Sequence, residues 1–186
     1  MLQISYLPLI VLISITWCLI RIVCALRRKR MDWKRELQLL LVYVCIVVVA
    51  RFTFFPFATV NGKTQPLVFD CANAFPFRIN WIPFVNLLDY PTTKEILLNI
   101  IGNSTMFIPV GIIWPIVYKD LDTHKKVLLS GFCFSLIIEI LQLPFYDRVT
   151  DVDDLILNMF GFVVGYLLYL LAKAIRKHRR KHNESV

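Results

Sequence analysis

The chain has 186 residues, 58% of them hydrophobic, and a formal charge of +8 at pH 7. The charges are gathered into short clusters between long apolar runs, which is the pattern of a membrane protein and argues against a soluble nucleic-acid-binding domain. The basic excess has a simpler source, the retention of Lys and Arg on the cytoplasmic side of a bilayer. Apolar runs at about Leu2 to Ile20, Leu37 to Phe57, Ile96 to Val117, Val127 to Phe145 and Leu155 to Ala172 each approach the roughly 20 residues that a helix needs to span hydrocarbon. They predict an all-α integral membrane protein with five transmembrane helices.

The first run has no side-chain positive charge before it, and the basic cluster of residues 27–30 follows it. It therefore reads as a retained anchor with the N-terminus outside, not as a cleavable signal peptide. Residues 1–36 form this anchor helix and a basic cytoplasmic loop, 37–172 a four-helix membrane domain, and 173–186 a basic cytoplasmic tail close to anionic lipid. Every loop charge agrees with an outside N-terminus and a cytoplasmic C-terminus. Cys18, Cys24, Cys45 and Cys133 fall within apolar spans and Cys71 in an outside loop, so no disulfide framework is implied.

The second span carries Arg51 about 9 Å below its outer end at the helical rise. There its long stem can snorkel to the interface or serve a site. The loop between the second and third spans is rich in aromatic residues and proline. Phe75, Phe77, Trp81 and Phe84 suit the headgroup level, and Pro76 and Pro83 prevent one continuous helix. An interfacial cap is expected, acting as an anchor or as a lid. The third span places Asn99 and Asn103 on one face, while Pro109 and Pro115 free carbonyls and should bend its inner half.

The fourth span holds the costliest residues. A charged side chain at mid-bilayer costs roughly 2.5 to 3.5 kcal/mol on insertion scales, so an intramembrane carboxylate is a functional-site candidate with a partner to be named. Ser135, Glu139 and Gln142 stand at i, i+4 and i+7, one stripe of a helix. The turn that follows carries Arg148 among four Asp residues. Beyond it Asp151, Asp154, Asn158, Gly161 and Gly165 make a second stripe, with the two glycines in a small-xxx-small packing pattern.

The topology sends Arg51, Asn99, Asn103, Glu139, Gln142, Arg148, Asp154 and Asn158 to the same outer third of the membrane. So many hydrogen-bonding groups cannot face lipid and should converge on one buried or water-filled site. If Glu139 is charged, Arg51 or Arg148 is its expected partner.

The strings NIIGN (99–103), FIPVG (107–111), EILQ (139–142), RVTDVDD (148–154) and LNMFGFVVGY (157–166) occur in that order. With RFTFFP and NWIPF before the third span, they resemble the VanZ-like family over about Arg51 to Tyr169. This chain has Val110 where Phe is common, and a longer outside loop. The resemblance implies a small protein of the bacterial plasma membrane, in some members linked to lower susceptibility to teicoplanin. It carries over Arg51, Asn99, Glu139, Gln142, Arg148, Asp151, Asp154 and Asn158 as site positions, without an assigned reaction.

Three functions are compatible with these residues. The first is recognition, at the outer leaflet, of a lipid-linked cell-wall precursor or a lipoglycopeptide. The second is catalysis on a lipid-linked substrate with Glu139 as acid and base. The third is a small proton-coupled transporter. Standard hydrolase motifs are missing from the sequence. No cofactor and no metal is implied, since His178 and His182 lack further ligands. Membrane lipids are the expected surroundings, and the sequence sets no oligomeric state.

Overall fold

The computed structural model describes residues 2–28, 32–55, 59–60, 63–70, 78–85, 92–146 and 148–184. Expectations placed on Cys71, Phe75, Pro76 and Phe77 lie outside the described residues. Short polar caps set three helix starts. The Asp32 side chain accepts from the backbone N–H groups of Lys34 and Arg35, Thr92 from Glu95, and Thr123 from Lys126. Each satisfies a donor that a first helical turn leaves without an intrahelical partner. The helices α2 (Trp33–Phe54), α3 (Thr93–Val117) and α4 (His124–Gln142) accordingly begin a few residues before their apolar runs.

The other two helices differ more from the sequence expectation. Helix α1 spans Tyr6–Arg28, because Leu2–Ile4 is an extended strand, β1. Helix α5 spans Val152–Glu184, so the basic tail continues the last membrane helix. Lys, Arg and Ala favour helix, and neither Gly nor Pro interrupts 173–184. Helix α3 runs through Pro109 and Pro115 as a single element.

Short strands tie one end of the bundle together. β2 (Thr59–Val60) pairs with β3 (Lys63–Thr64), and β1 pairs antiparallel with β4 (Leu67–Phe69). β5 (Ile79–Asn80) pairs in parallel with β6 (Thr150–Asp151), and Phe69 bridges Phe145. The N-terminus, the α2–α3 connection and the α4–α5 turn therefore share one end. At the other end an Arg35 guanidinium N–H donates to the Val117 carbonyl oxygen and Arg21 pairs with Glu36.

Helix α3 is the central element, packed on α5 and then on α2, and α4 packs on α5. The α3–α5 contact is close because glycines face backbone. A Cβ added at Gly161 would lie 1.8 Å from the Ser104 carbonyl oxygen, and one at Gly165 would lie 2.0 Å from that of Ile108. From the facing helix, one at Gly111 would lie 2.1 Å from the Phe162 carbonyl oxygen. The small-xxx-small stripe is thus a helix seam. Phe107, Val110 and Phe162 fill it, and Phe134 packs against Phe107 and Trp114.

The outer surface of the bundle is apolar. Helix α4, for example, exposes Leu129, Phe132, Leu136, Ile137, Ile140 and Leu141. Among the described residues four helices are long and apolar enough to cross a membrane, over Tyr6–Arg27, Trp33–Phe54, Thr93–Val117 and Val152–Asn183. Helix α4 is outside that set: it has 19 residues and includes Lys125, Lys126 and Glu139. Its lysines sit in the first turn, where their stems can reach the interface.

Candidate functional site

The interior is most polar near the end that carries the strands. Ser135, Glu139 and Gln142 are all buried along one stripe of α4, as i, i+4, i+7 spacing requires. Asn158 of α5 faces them at 1% exposure, and its Nδ2 donates to Ser135 Oγ at 3.0 Å. Asn103 of α3 donates to Asp154 Oδ1 and, at 3.4 Å, to Asn99 Oδ1. Three helices thus bring Asn99, Asn103, Glu139, Asp154 and Asn158 into one node.

The α4–α5 turn closes over this node. Thr150 Oγ1 donates to the Glu139 carbonyl oxygen at 3.0 Å, and the Asp151 N–H donates to Glu139 Oε2 at 3.3 Å. Asp151 in turn accepts from Asn80 Nδ2, at 3.1 and 3.2 Å to its two oxygens, and from the Asp153 N–H at 2.9 Å. Asp153, in the first turn of α5, is 4% exposed and accepts the Phe84 N–H at 2.8 Å. Residues 78–85 therefore form a strap whose polar anchors end on the turn's carboxylates. Phe84 has φ of 66°, a left-handed conformation costly for a bulky residue. Trp81 and Phe84, expected at headgroup level, are both exposed.

The expected ion pair is not formed. Among the described residues Glu139 has no guanidinium within ion-pair distance, and its neighbours in charge are Asp151 and Asp154. Arg51 points elsewhere: it donates to the Phe55 carbonyl oxygen at 3.2 Å and lies over the rings of Tyr6 and Phe52. Its position on α2 turns it toward α1, so an interfacial anchoring role fits its contacts. Arg148 donates to the Phe54 carbonyl oxygen, although its charge also acts on Asp154. Gln142 Nε2 donates at 2.7 Å to the Thr53 carbonyl oxygen. Arg148 and Gln142 thus satisfy carbonyls that the last turn of α2 leaves open.

Sequence reasoning did not single out Asn80, Thr150 or Asp153 as site positions. The signal for Asp153 was available in the four-Asp turn, but spacing alone does not distinguish it from Asp154. Asn80 had no signal beyond its place in NWIPF. Among the described residues no three His, Cys, Asp or Glu side chains are grouped to hold a metal ion.

Chemically, the node is a buried set of carboxyls and amides, capable of accepting hydrogen bonds from a polar group and surrounded by apolar surface. A family model described as VanZ/LLP1 matches residues 40–173, which covers α3, α4, the strap and most of α2 and the membrane part of α5. No curated protein and no solved structure matches the chain.

Proposed function

The chain belongs to the VanZ/LLP1 family, and from that premise we propose that it recognises a cell-envelope amphiphile in the outer third of the bacterial plasma membrane. The ligand class is a lipid-linked wall precursor or a lipoglycopeptide, and the outcome is lower susceptibility to teicoplanin-type antibiotics. The observation that carries this reading is the convergence of Asn103, Glu139, Asp154 and Asn158 from three helices inside a bundle with an apolar exterior. Buried polar groups in a membrane are retained where they contact a ligand, a path or one another.

The orientation follows from charge. Lys34, Arg35, the basic residues of 119–126 and those of 173–181 belong to the end away from the node, which supports an outward-facing node. Helix α4 is the fourth of five spans in this reading, its apolar face against lipid and its polar stripe on the node.

Expression of the wild-type chain in a teicoplanin-susceptible bacterium tests the proposal, with teicoplanin and vancomycin challenged side by side. Wild type raises the inhibitory concentration of teicoplanin, and Glu139→Gln, inserted at equal amount, does not. Unchanged sensitivity with wild type overturns the resistance reading. In liposomes, product formed from labelled lipid precursor would instead assign catalysis to Glu139, and ion flux would assign transport.

A further inference from the structure

Four amide side chains at the node each donate to an internal partner. Asn103 Nδ2 serves Asp154 and Asn99, Gln142 Nε2 serves the Thr53 carbonyl, Asn158 Nδ2 serves Ser135, and Asn80 Nδ2 serves Asp151. Acceptors are in surplus. Among the described residues Gln142 Oε1, Asp153 Oδ2 and Asn158 Oδ1 are buried without a hydrogen-bond partner, on side chains at most 5% exposed. Gln142 stands one turn above Glu139 on the same α4 stripe. Asn158 stands one turn below Asp154 and meets the turn below Glu139 through Ser135. The unmatched oxygens therefore belong to residues adjacent to, or one helical turn from, Glu139 and Asp154. Buried polar atoms are ordinarily matched, so three acceptor oxygens on residues next to the carboxyls call for a donor.

Charge points the same way. Asp151 and Asp154 act electrostatically on Glu139, and Asp151 and Asp153 on Asp154, whereas Arg148 is the cation acting on Asp154. Such a site repels phosphate and attracts a cation. A metal ion is a poor fit, because the carboxyls are not grouped for one.

We propose that the node takes a protonated primary amine, the ammonium group of a membrane-surface amphiphile or of a wall-side molecule; this rests on the reading of the node as a ligand site. The strap supplies its occupants in the free state. Asn80 Nδ2 and the Phe84 N–H hold Asp151 and Asp153, and three ammonium N–H groups replace them as charge-assisted donors. Displacement of the strap relieves the left-handed Phe84 backbone. It also frees the exposed side chains of Trp81, Ile82 and Val85 to enter the interface.

The test uses the full chain in phosphatidylcholine nanodiscs with three probes below their micellar concentrations: dodecylamine, dodecyltrimethylammonium and dodecyl phosphate. Backbone hydrogen exchange over 79–85 and the rate of carbodiimide labelling at Glu139 are followed by mass spectrometry. Dodecylamine speeds exchange in the strap and slows labelling, each by about tenfold, the equivalent of one charge-assisted bond. The trimethyl and phosphate probes change neither. Replacing phosphatidylcholine by phosphatidylethanolamine, or adding lysinamide in water, tells a lipid source of the amine from a wall-side one.

An equal response to the trimethyl compound or the phosphate overturns the proposal, as does no response to dodecylamine. Response to Mg2+ or Ca2+ without response to amine does the same. If carbodiimide leaves Glu139 untouched, exchange in the strap decides. Amine binding without antibiotic resistance removes the resistance reading alone; resistance lost in Glu139→Gln without amine binding removes the ammonium inference alone.

Discussion

A polar residue inside a membrane helix earns its place through its partner, and the two polar ends of the EILQ string have different partners. Glu139 faces carboxyls and the Asp151 N–H, whereas Gln142 spends its amide on the end of α2. Replacing Gln142 by Leu leaves the Thr53 carbonyl oxygen buried without that donor, a cost of about 1–3 kcal/mol. Gln142→Leu is therefore expected to lower the thermal unfolding midpoint in detergent, while Glu139→Gln, which keeps shape and neutralises a crowded carboxylate, is expected to leave it unchanged or raise it. A lower midpoint for Glu139→Gln than for Gln142→Leu would reverse these assignments. The sequence exposed both residues by their cost in an apolar run. It did not expose the division of labour, because the partner of Gln142 is a backbone carbonyl 89 residues away, and every residue type carries a carbonyl. Arg51 and Arg148, the partners expected for a charged Glu139, donate instead to the backbone oxygens of Phe55 and Phe54, which carry no sequence signal either.

Elements were legible where their signal is periodic or capped, and illegible where it is neither. The five helices follow from apolar runs, and Asp32, Thr92 and Thr123 mark starts that hydropathy alone places too late. The strands contain two or three residues each, too short for any alternation to register. The continuation of α5 past Ala172 was hidden by its polarity, although its composition favours helix. The α3–α5 seam is the most exacting element contact, since its glycines meet carbonyl oxygens that cannot rotate away. Gly161→Ala requires the two helices to separate at Ser104 and is expected to cost about 1–3 kcal/mol, in the range of overpacking. Because Asn103 and Asp154 lie on either side of the same seam, the variant is also expected to weaken the Asn103–Asp154 contact and the function that depends on it. A Gly161→Ala protein as stable and as active as wild type would show that the helices do not approach as closely as their backbones indicate.

On the scale of the whole molecule, the alternation of loop charge and the strand pairing were reached by separate routes and agree on which connections lie together. Charge assigns the N-terminus, the α2–α3 connection and the α4–α5 turn to one side. Backbone pairing of Leu2–Ile4 with Leu67–Phe69, and of Ile79–Asn80 with Thr150–Asp151, joins the same three segments. In the proposed topology α4 crosses the membrane, and its two ends lie on opposite sides. Val149 and Asp120 flank α4, and both are exposed. In intact cells, a membrane-impermeant maleimide is expected to label Val149→Cys and to reach Asp120→Cys only after the membrane is permeabilised, in a background from which the native cysteines have been removed. Labelling of both positions from outside would make α4 a re-entrant or surface helix. Glu139 would then lie in an interfacial pocket, and the basic segment 119–126 would be an exception to charge retention on the inner side.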